Sequence, residues 1–472
     1  MAQPVPEIKA IINVDENGNA TVKISFKVTG RSSMYFTLPR FENYTICEAY
    51  GSYYITNSPS SAYFYYNSSI TLIPGENGTS ILSLCYNFPY ASLLAGKQGW
   101  FMTPMLVASP PIPVEVFVRI PGLEKVSLES PTSTGIDKNG YRMYVVKPNS
   151  PSLIPGRVVI EYTTIIPISP VNYTRNIGNT SLIIESPPYY KKLSERVLEV
   201  SSRAYQNLTT LIGVSLPSII FEFYLPKQSL GGISTLGFIM GEDVNAGGKG
   251  PIMLNLGLIR YAPGYLETTV IHEMVHAFLG KAGVEANDET RWFHEGLAQY
   301  LSLNIAEGLG YNVSDLRAEL LNASESLYSY TGGNFSFIQH WPQDPEMVGD
   351  AYLASFFIIN NLTSTFGGKV YLEKVFTALK NYGKVTSNDD IVYVLSTAAG
   401  KNLAPLFRGW GFRNIRDWQA PASTSPPLIG KGNNFTLLIL VIGLAIGVLI
   451  YFLQQRVQRG IEAAKSESVF HG

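Results

Sequence analysis

His272-Glu273-Met274-Val275-His276 forms an H-E-x-x-H run, and Trp292-Phe293-His294-Glu295-Gly296-Leu297-Ala298-Gln299-Tyr300 follows it downstream. On a helix, positions four apart share a face, so His272 and His276 can hold one ion together. Glu273 projects beside them, where a carboxylate polarises a water at that ion. Glu295 can fill the remaining protein-ligand position of a catalytic zinc, leaving one position open. The chain has only 5 histidines, and His272, His276 and His294 all fall in this stretch. The pattern predicts one Zn2+ and hydrolytic chemistry.

Both runs read as helices, spanning 266–279 and 292–306. Ahead of them lie a helical stretch at 189–208, a strand at 219–224, a glycine-rich meander at 231–250 and a strand at 251–256. Four further helical stretches are expected at 315–327, 348–365, 369–381 and 403–413. From Glu7 to Ile168 the pattern instead alternates, as in Ala20-Thr21-Val22-Lys23-Ile24-Ser25-Phe26, with turn signals such as Glu16-Asn17-Gly18-Asn19 and Asp137-Lys138-Asn139-Gly140 between strands. Strands first and mostly helices afterwards predict an α+β chain. Residues 1–168 are expected to form an all-β domain of sandwich or saddle type, and 185–418 a mixed, helix-rich catalytic domain. No internal repeat is visible.

On these residues the chain resembles a gluzincin metallopeptidase. It is similar to the aminopeptidase-N-like and glycyl-aminopeptidase-like families and to the peptidase-MA-like domains. Those families join H-E-x-x-H to a W-[FL]-x-E-G-[FLH]-[AT]-x-Y segment, and the gap from His276 to Glu295 matches the aminopeptidase-N-like spacing. The resemblance implies a thermolysin-like catalytic domain behind a β-rich one. It also implies zinc on His272, His276 and Glu295, with Glu273 as general base. Its oxyanion-stabilising tyrosine corresponds to Tyr352, although the Lys-Gly that usually follows is missing here. The amine-binding G-x-M-E-N run of the exopeptidases is also missing. Gly237-Phe238-Ile239-Met240-Gly241-Glu242-Asp243 stands in that region, where Glu242 or Asp243 either binds a substrate amine or is a loop carboxylate. His294 either contacts substrate or lies on the surface, and Gln299 either orients a ligand or is exposed.

Formal net charge is −1, which gives no reason to expect nucleic acid as a partner. Charged residues are only 15% of the chain, below the usual quarter. Cys47 and Cys85 form one disulfide if the chain is exported, or are two buried thiols if it is not. N-x-S/T sequons recur from Asn19 to Asn434 and read as those of an exported glycoprotein. Residues 419–434 form a Pro, Ser and Gly linker, and 435–453 are uncharged and apolar. About 19 helical residues cover roughly 28 Å, enough for a bilayer. Arg456, Arg459 and Lys465 follow, so the tail 454–472 is assigned to the cytoplasm and the N-terminal region to the outside of a single-pass cell-membrane protein. No charged and apolar leader opens the chain. That leaves a processed form, or the reverse topology with a tail anchor.

The sequence thus predicts an extracellular, membrane-anchored zinc metallopeptidase acting on peptides or proteins through a metal-activated water. An aminopeptidase is the first subclass and an endopeptidase the second. The alternatives are an inactive cell-surface glycoprotein on the same scaffold and, more remotely, a hydrolase of non-peptide substrates such as an epoxide. Protein partners and oligomeric state are not legible.

Overall fold

A computed structural model describes residues 5–148 and 152–419. The chain is α+β, with an N-terminal all-β region, and divides into two compact units. The first runs to Pro170 and also takes in Pro187–Tyr189; the second takes Val171–Ser186 and the chain from Tyr190 onward.

The first unit contains β1 (Glu7–Val14), β2 (Ala20–Thr29), β3 (Ser32–Pro39), β4 (Thr45–Tyr50), β5 (Ser52–Pro59), β6 (Tyr65–Ile73) and β7 (Thr79–Phe88). After these come β8 (Ser92–Met102), β9 (Ala108–Ser109), β10 (Val114–Arg119), β11 (Leu123–Ser130), β12 (Gly135–Ile136), β13 (Arg142–Val146) and β14 (Val159–Ile168). They form a seven-stranded sheet in the order β12-β13-β10-β1-β2-β7-β4, a four-stranded sheet β5-β6-β3-β9 and a three-stranded sheet β11-β14-β8. Alternation does what the pleat requires, because every second residue of β1 and β2 turns inward. Phe26 of β2 meets Phe36 of β3 edge to face at 5.2 Å, joining two sheets across one apolar core. The turn chemistry is as expected: Asp15 Oδ1 accepts from the amides of Asn17 and Asn19, and Asp137 Oδ1 from those of Asn139 and Tyr141. Cys47 and Cys85 are joined in a disulfide between β4 and β7, at a register shift that gives Cys47 no direct partner on β7.

The second unit opens with the hairpin β15 (Val171–Ile177) and β16 (Thr180–Ser186), which the sequence left between its two expected domains. The helix α1 (Lys191–Ile212) then crosses to β17 (Ser218–Tyr224), parallel to β16. Within the glycine-rich meander lie β18 (Gly237–Ile239) and α2 (Gly241–Asn245), followed by β19 (Ile252–Asn255). The sheet order is β15-β16-β17-β19-β18, which leaves β18 at its edge, antiparallel to β19. The helices α3 (Tyr265–Lys281), α4 (Arg291–Gly308), α5 (Ser314–Thr331), α6 (Pro345–Phe366), α7 (Lys369–Tyr382), α8 (Asn388–Ala399) and α9 (Ala404–Gly409) complete the unit. α8 is absent from the sequence reading because Ile391, Val392 and Val394 suit a strand equally well. Its ends decide for helix: Ser387 caps the N-terminus by accepting from Asp390 N, and Gly400 ends it in the left-handed conformation.

One expectation is corrected. Among the described residues no helix is long and apolar enough to cross a membrane. The longest, α1 and α6, break their apolar residues with groups such as Lys192, Glu195, Arg196, Asp350 and Asn360. A span needs about 20 predominantly apolar residues in succession. The C-terminal transmembrane helix expected at 435–453, and the tail after it, lie outside the described residues, as does the linker from 420. The structure therefore does not support the single-pass cell-membrane placement.

The disulfide closes a separation of 38 residues. Replacing both cysteines by serine should lower the stability of the first unit by about 2–4 kcal/mol, because the unfolded chain regains that loop's freedom. Amide exchange in β4 and β7 should accelerate accordingly. Unchanged protection would show that the strand pairing alone holds this edge.

Candidate metal centre

α3 is interior along nearly its whole length, and every side chain from Leu266 to Leu279 is buried. Such a helix forms only with neighbours on all sides. α1 is tied to its first turn by Arg196, whose Nε donates to Glu267 Oε1 at 2.8 Å, and to its last turn by the edge contact of Tyr205 with Phe278 at 5.5 Å. Glu267 Oε2 accepts from the Gly264 amide and so caps α3. The polar exceptions on this buried helix include His272, Glu273 and His276.

α4 brings the third donor. Trp292 anchors its start by donating Nε1–H to Asn388 Oδ1 at 2.7 Å and by packing on Phe407 and Phe412. Glu295 then faces α3. Gly296 lets α6 approach, since a Cβ there would stand 2.5 Å from the Ser355 carbonyl oxygen and 2.8 Å from Ile359 Cγ1. That closeness brings Tyr352 Oη of α6 to 3.4 Å from Glu295 Oε1.

The donors converge. Glu295 Oε2 lies 3.2 Å from His272 Nε2 and 3.4 Å from His276 Nε2, with all three side chains buried. Their ligand atoms fall within 4.8 Å of one another. Donors about 2.0–2.1 Å from a tetrahedral zinc sit roughly 3.3–3.4 Å apart, and the two distances from Glu295 Oε2 to the imidazoles match that spacing. Among the described residues His276 Nε2 has no hydrogen-bond partner and Glu273 Oε2 has none, although both are buried. Polar atoms in that condition mark a place for an ion or water. The Nδ1 atoms of His272 and His276 also have no hydrogen-bond partner among the described residues.

The charge states suit metal binding. Burial holds His272 below its ordinary value and therefore neutral, the form that coordinates. Burial alone would raise Glu295, but His276 and His272 outweigh it and keep the carboxylate well below its usual range. Glu273 is pushed well above that range, first by burial and then by the charge of Glu295. Burial and Glu295 likewise hold Tyr352 protonated. The result is a buried site for a metal ion on His272, His276 and Glu295.

No protein-family model matches the chain, and no curated protein matches it.

Other expected residues fall differently. His294, one of whose two readings placed it on the surface, is 2% exposed, with its ring 5.7 Å from that of His276; burial and His276 lower it to about 3. Gln299 is also buried. Glu242 is exposed on α2, where Val244 packs against Gly280 in the last turn of α3, nearly two turns beyond Glu273. Among the described residues, no ion pair or hydrogen bond is identified between Glu242 and the histidine cluster. The residue that does approach Glu273 is Gly237 of β18, where a Cβ would stand 3.0 Å from Glu273 Cγ. Arg291, absent from the sequence reading, pairs with Glu295 Oε1 at 3.4 Å. Its signal was its position four residues before Glu295 on one helix face.

Gly296→Ala should force α6 from α4, destabilising the unit by about 1–3 kcal/mol and loosening the metal site. Gly308→Ala, whose Cβ meets nothing within 4 Å, is the control and should be neutral or mildly stabilising. Thermal melts and competition with a zinc chelator check both. Equal behaviour of the two variants would remove Gly296 from the account.

Proposed function

We propose that this chain is a zinc metallopeptidase of gluzincin type that hydrolyses peptide bonds. One observation carries the reading: a buried set of two imidazoles and one carboxylate, with the unpaired carboxyl of Glu273 beside it. Two histidines and a glutamate are a hydrolytic zinc set rather than a structural one, because they leave a position open. Zinc bound there would supply a Lewis acid for the attacking water and the scissile carbonyl. Glu273 accepts the proton of that water and delivers it to the departing amine nitrogen. Burial and the Glu295 charge raise its proton affinity above that of an ordinary carboxylate, the direction that favours a general base. Tyr352, kept neutral, donates its one hydroxyl proton to Glu295 Oε1 at 3.4 Å, so serving a developing oxyanion requires that bond to break as the charge forms.

The substrate is an extended peptide. β18 ends its sheet, and an edge strand offers main-chain groups to a strand added beside it. Gly237 on that edge lies against Glu273, so a peptide paired there runs past the base. Glu242 is exposed on α2, whose Val244 packs at Gly280 rather than at Glu273, which speaks against it as the anchor for a free amine. Within this reading the favoured action is on internal bonds.

Glu273→Gln should retain one zinc per chain and lose peptide hydrolysis by about a thousandfold or more, the scale of a lost proton-transfer group with its activated water. Equal turnover by variant and wild type would sink the mechanism. For subclass, an N-acetylated peptide and its free-amine twin should be cut at similar rates; selective loss on acetylation would instead make the enzyme an aminopeptidase.

A further inference from the structure

Arg291 is the first residue of α4 and only 8% exposed. Both facts run against ordinary chemistry. A cation at a helix N-terminus meets the positive end of the helix dipole, and a buried guanidinium must be compensated. What compensates it is Glu295, one turn along the same helix. Arg291 Nε lies 3.4 Å from Glu295 Oε1, while the other oxygen, Oε2, faces the two histidines. Tyr352 Oη reaches the same Oε1 at 3.4 Å. The face of the guanidinium is covered by Trp341, 4.7 Å from its ring centroid, and Trp341 also packs edge to face on Tyr352 at 5.1 Å. The Trp341 amide donates to the Asp288 carbonyl at 3.0 Å, fixing the tryptophan beside the start of α4.

We propose that Arg291, roofed by Trp341, is a positioning residue that divides the two oxygens of Glu295 and thereby sets the affinity of the metal site. Without it, Glu295 can rotate, and Oε1 can compete with Oε2 for the ion. Tyr352 would lose the fixed carboxylate that orients its hydroxyl. Arg291 is a positioning residue, and its effect passes through Glu295 and through Tyr352, with which its side chain also shares a hydrogen bond. The inference rests on the metal reading given above.

The test uses the full chain, with zinc affinity measured by competition with a chromophoric chelator and geometry read from the visible absorption of the Co2+ form. Outer partners of metal ligands typically contribute 10–100-fold in affinity. Arg291→Met should therefore weaken zinc by 10–100-fold and change the Co2+ spectrum. Arg291→Lys keeps the charge but loses the planar stack, and should fall between. Trp341→Leu should weaken zinc several-fold with Arg291 intact. A merely structural role would lower the melting temperature while leaving chelator competition and the Co2+ spectrum as in wild type, and that result overturns the proposal. If Arg291→Met does not fold, Arg291→Lys and Trp341→Leu decide on the same two readouts. A wild-type protein that binds no zinc would overturn the metal reading itself, a failure distinct from this one.

Discussion

Everything in the second unit serves one unfavourable arrangement, a fully buried carboxylate facing two buried imidazoles. Removing Glu295 from water costs several kcal/mol unless charge and hydrogen bonds replace the lost hydration. Here its two oxygens are served separately. Oε2 sees His272 and His276, and Oε1 sees Arg291 and Tyr352. An ion bound between the three donors would complete that compensation. The cluster is therefore both a site and a demand on the scaffold, which must hold α3, α4 and α6 at fixed separations.

The scaffold meets that demand by removing side chains where elements must touch. Gly296 admits the backbone of α6 against α4, and Gly237 admits β18 against Glu273. Trp292, bonded to Asn388 of α8, fixes where α4 begins and hence where Glu295 points. Glu267 ties α3 to Arg196 of α1. An arginine opening a helix is a local departure from ordinary preference, and it stands one turn from Glu295.

Much of this was legible in the sequence, for identifiable reasons. Helical spacing alone brings His272 and His276 to one face, and Glu295 follows because its helix is equally periodic. Alternation and turn residues such as Asn17, Gly18 and Asp137 exposed the β-rich region. What escaped needed three dimensions. Arg291 and Trp341 matter only once the loop before α6 folds over α4, which no spacing reveals. His294 lies between buried neighbours within its motif, yet one of its readings placed it outside, because a histidine at a helix start suits solvent equally well. Glu242 sits in the expected region of the chain, but α2 carries it toward the end of α3, away from the base. α8 was missed since β-branched residues speak for strand until its caps are weighed.

The central claim is that His272, His276 and Glu295 hold a zinc ion with a position left open. Zinc X-ray absorption on the stoichiometrically loaded protein tests it most directly. The account predicts one zinc per chain with two imidazole nitrogens and oxygen ligands at about 2.0–2.2 Å and no sulfur. It also predicts loss of that signature in His276→Ala. Zinc bound in less than stoichiometric amount, or a first shell that survives His276→Ala unchanged, would contradict it.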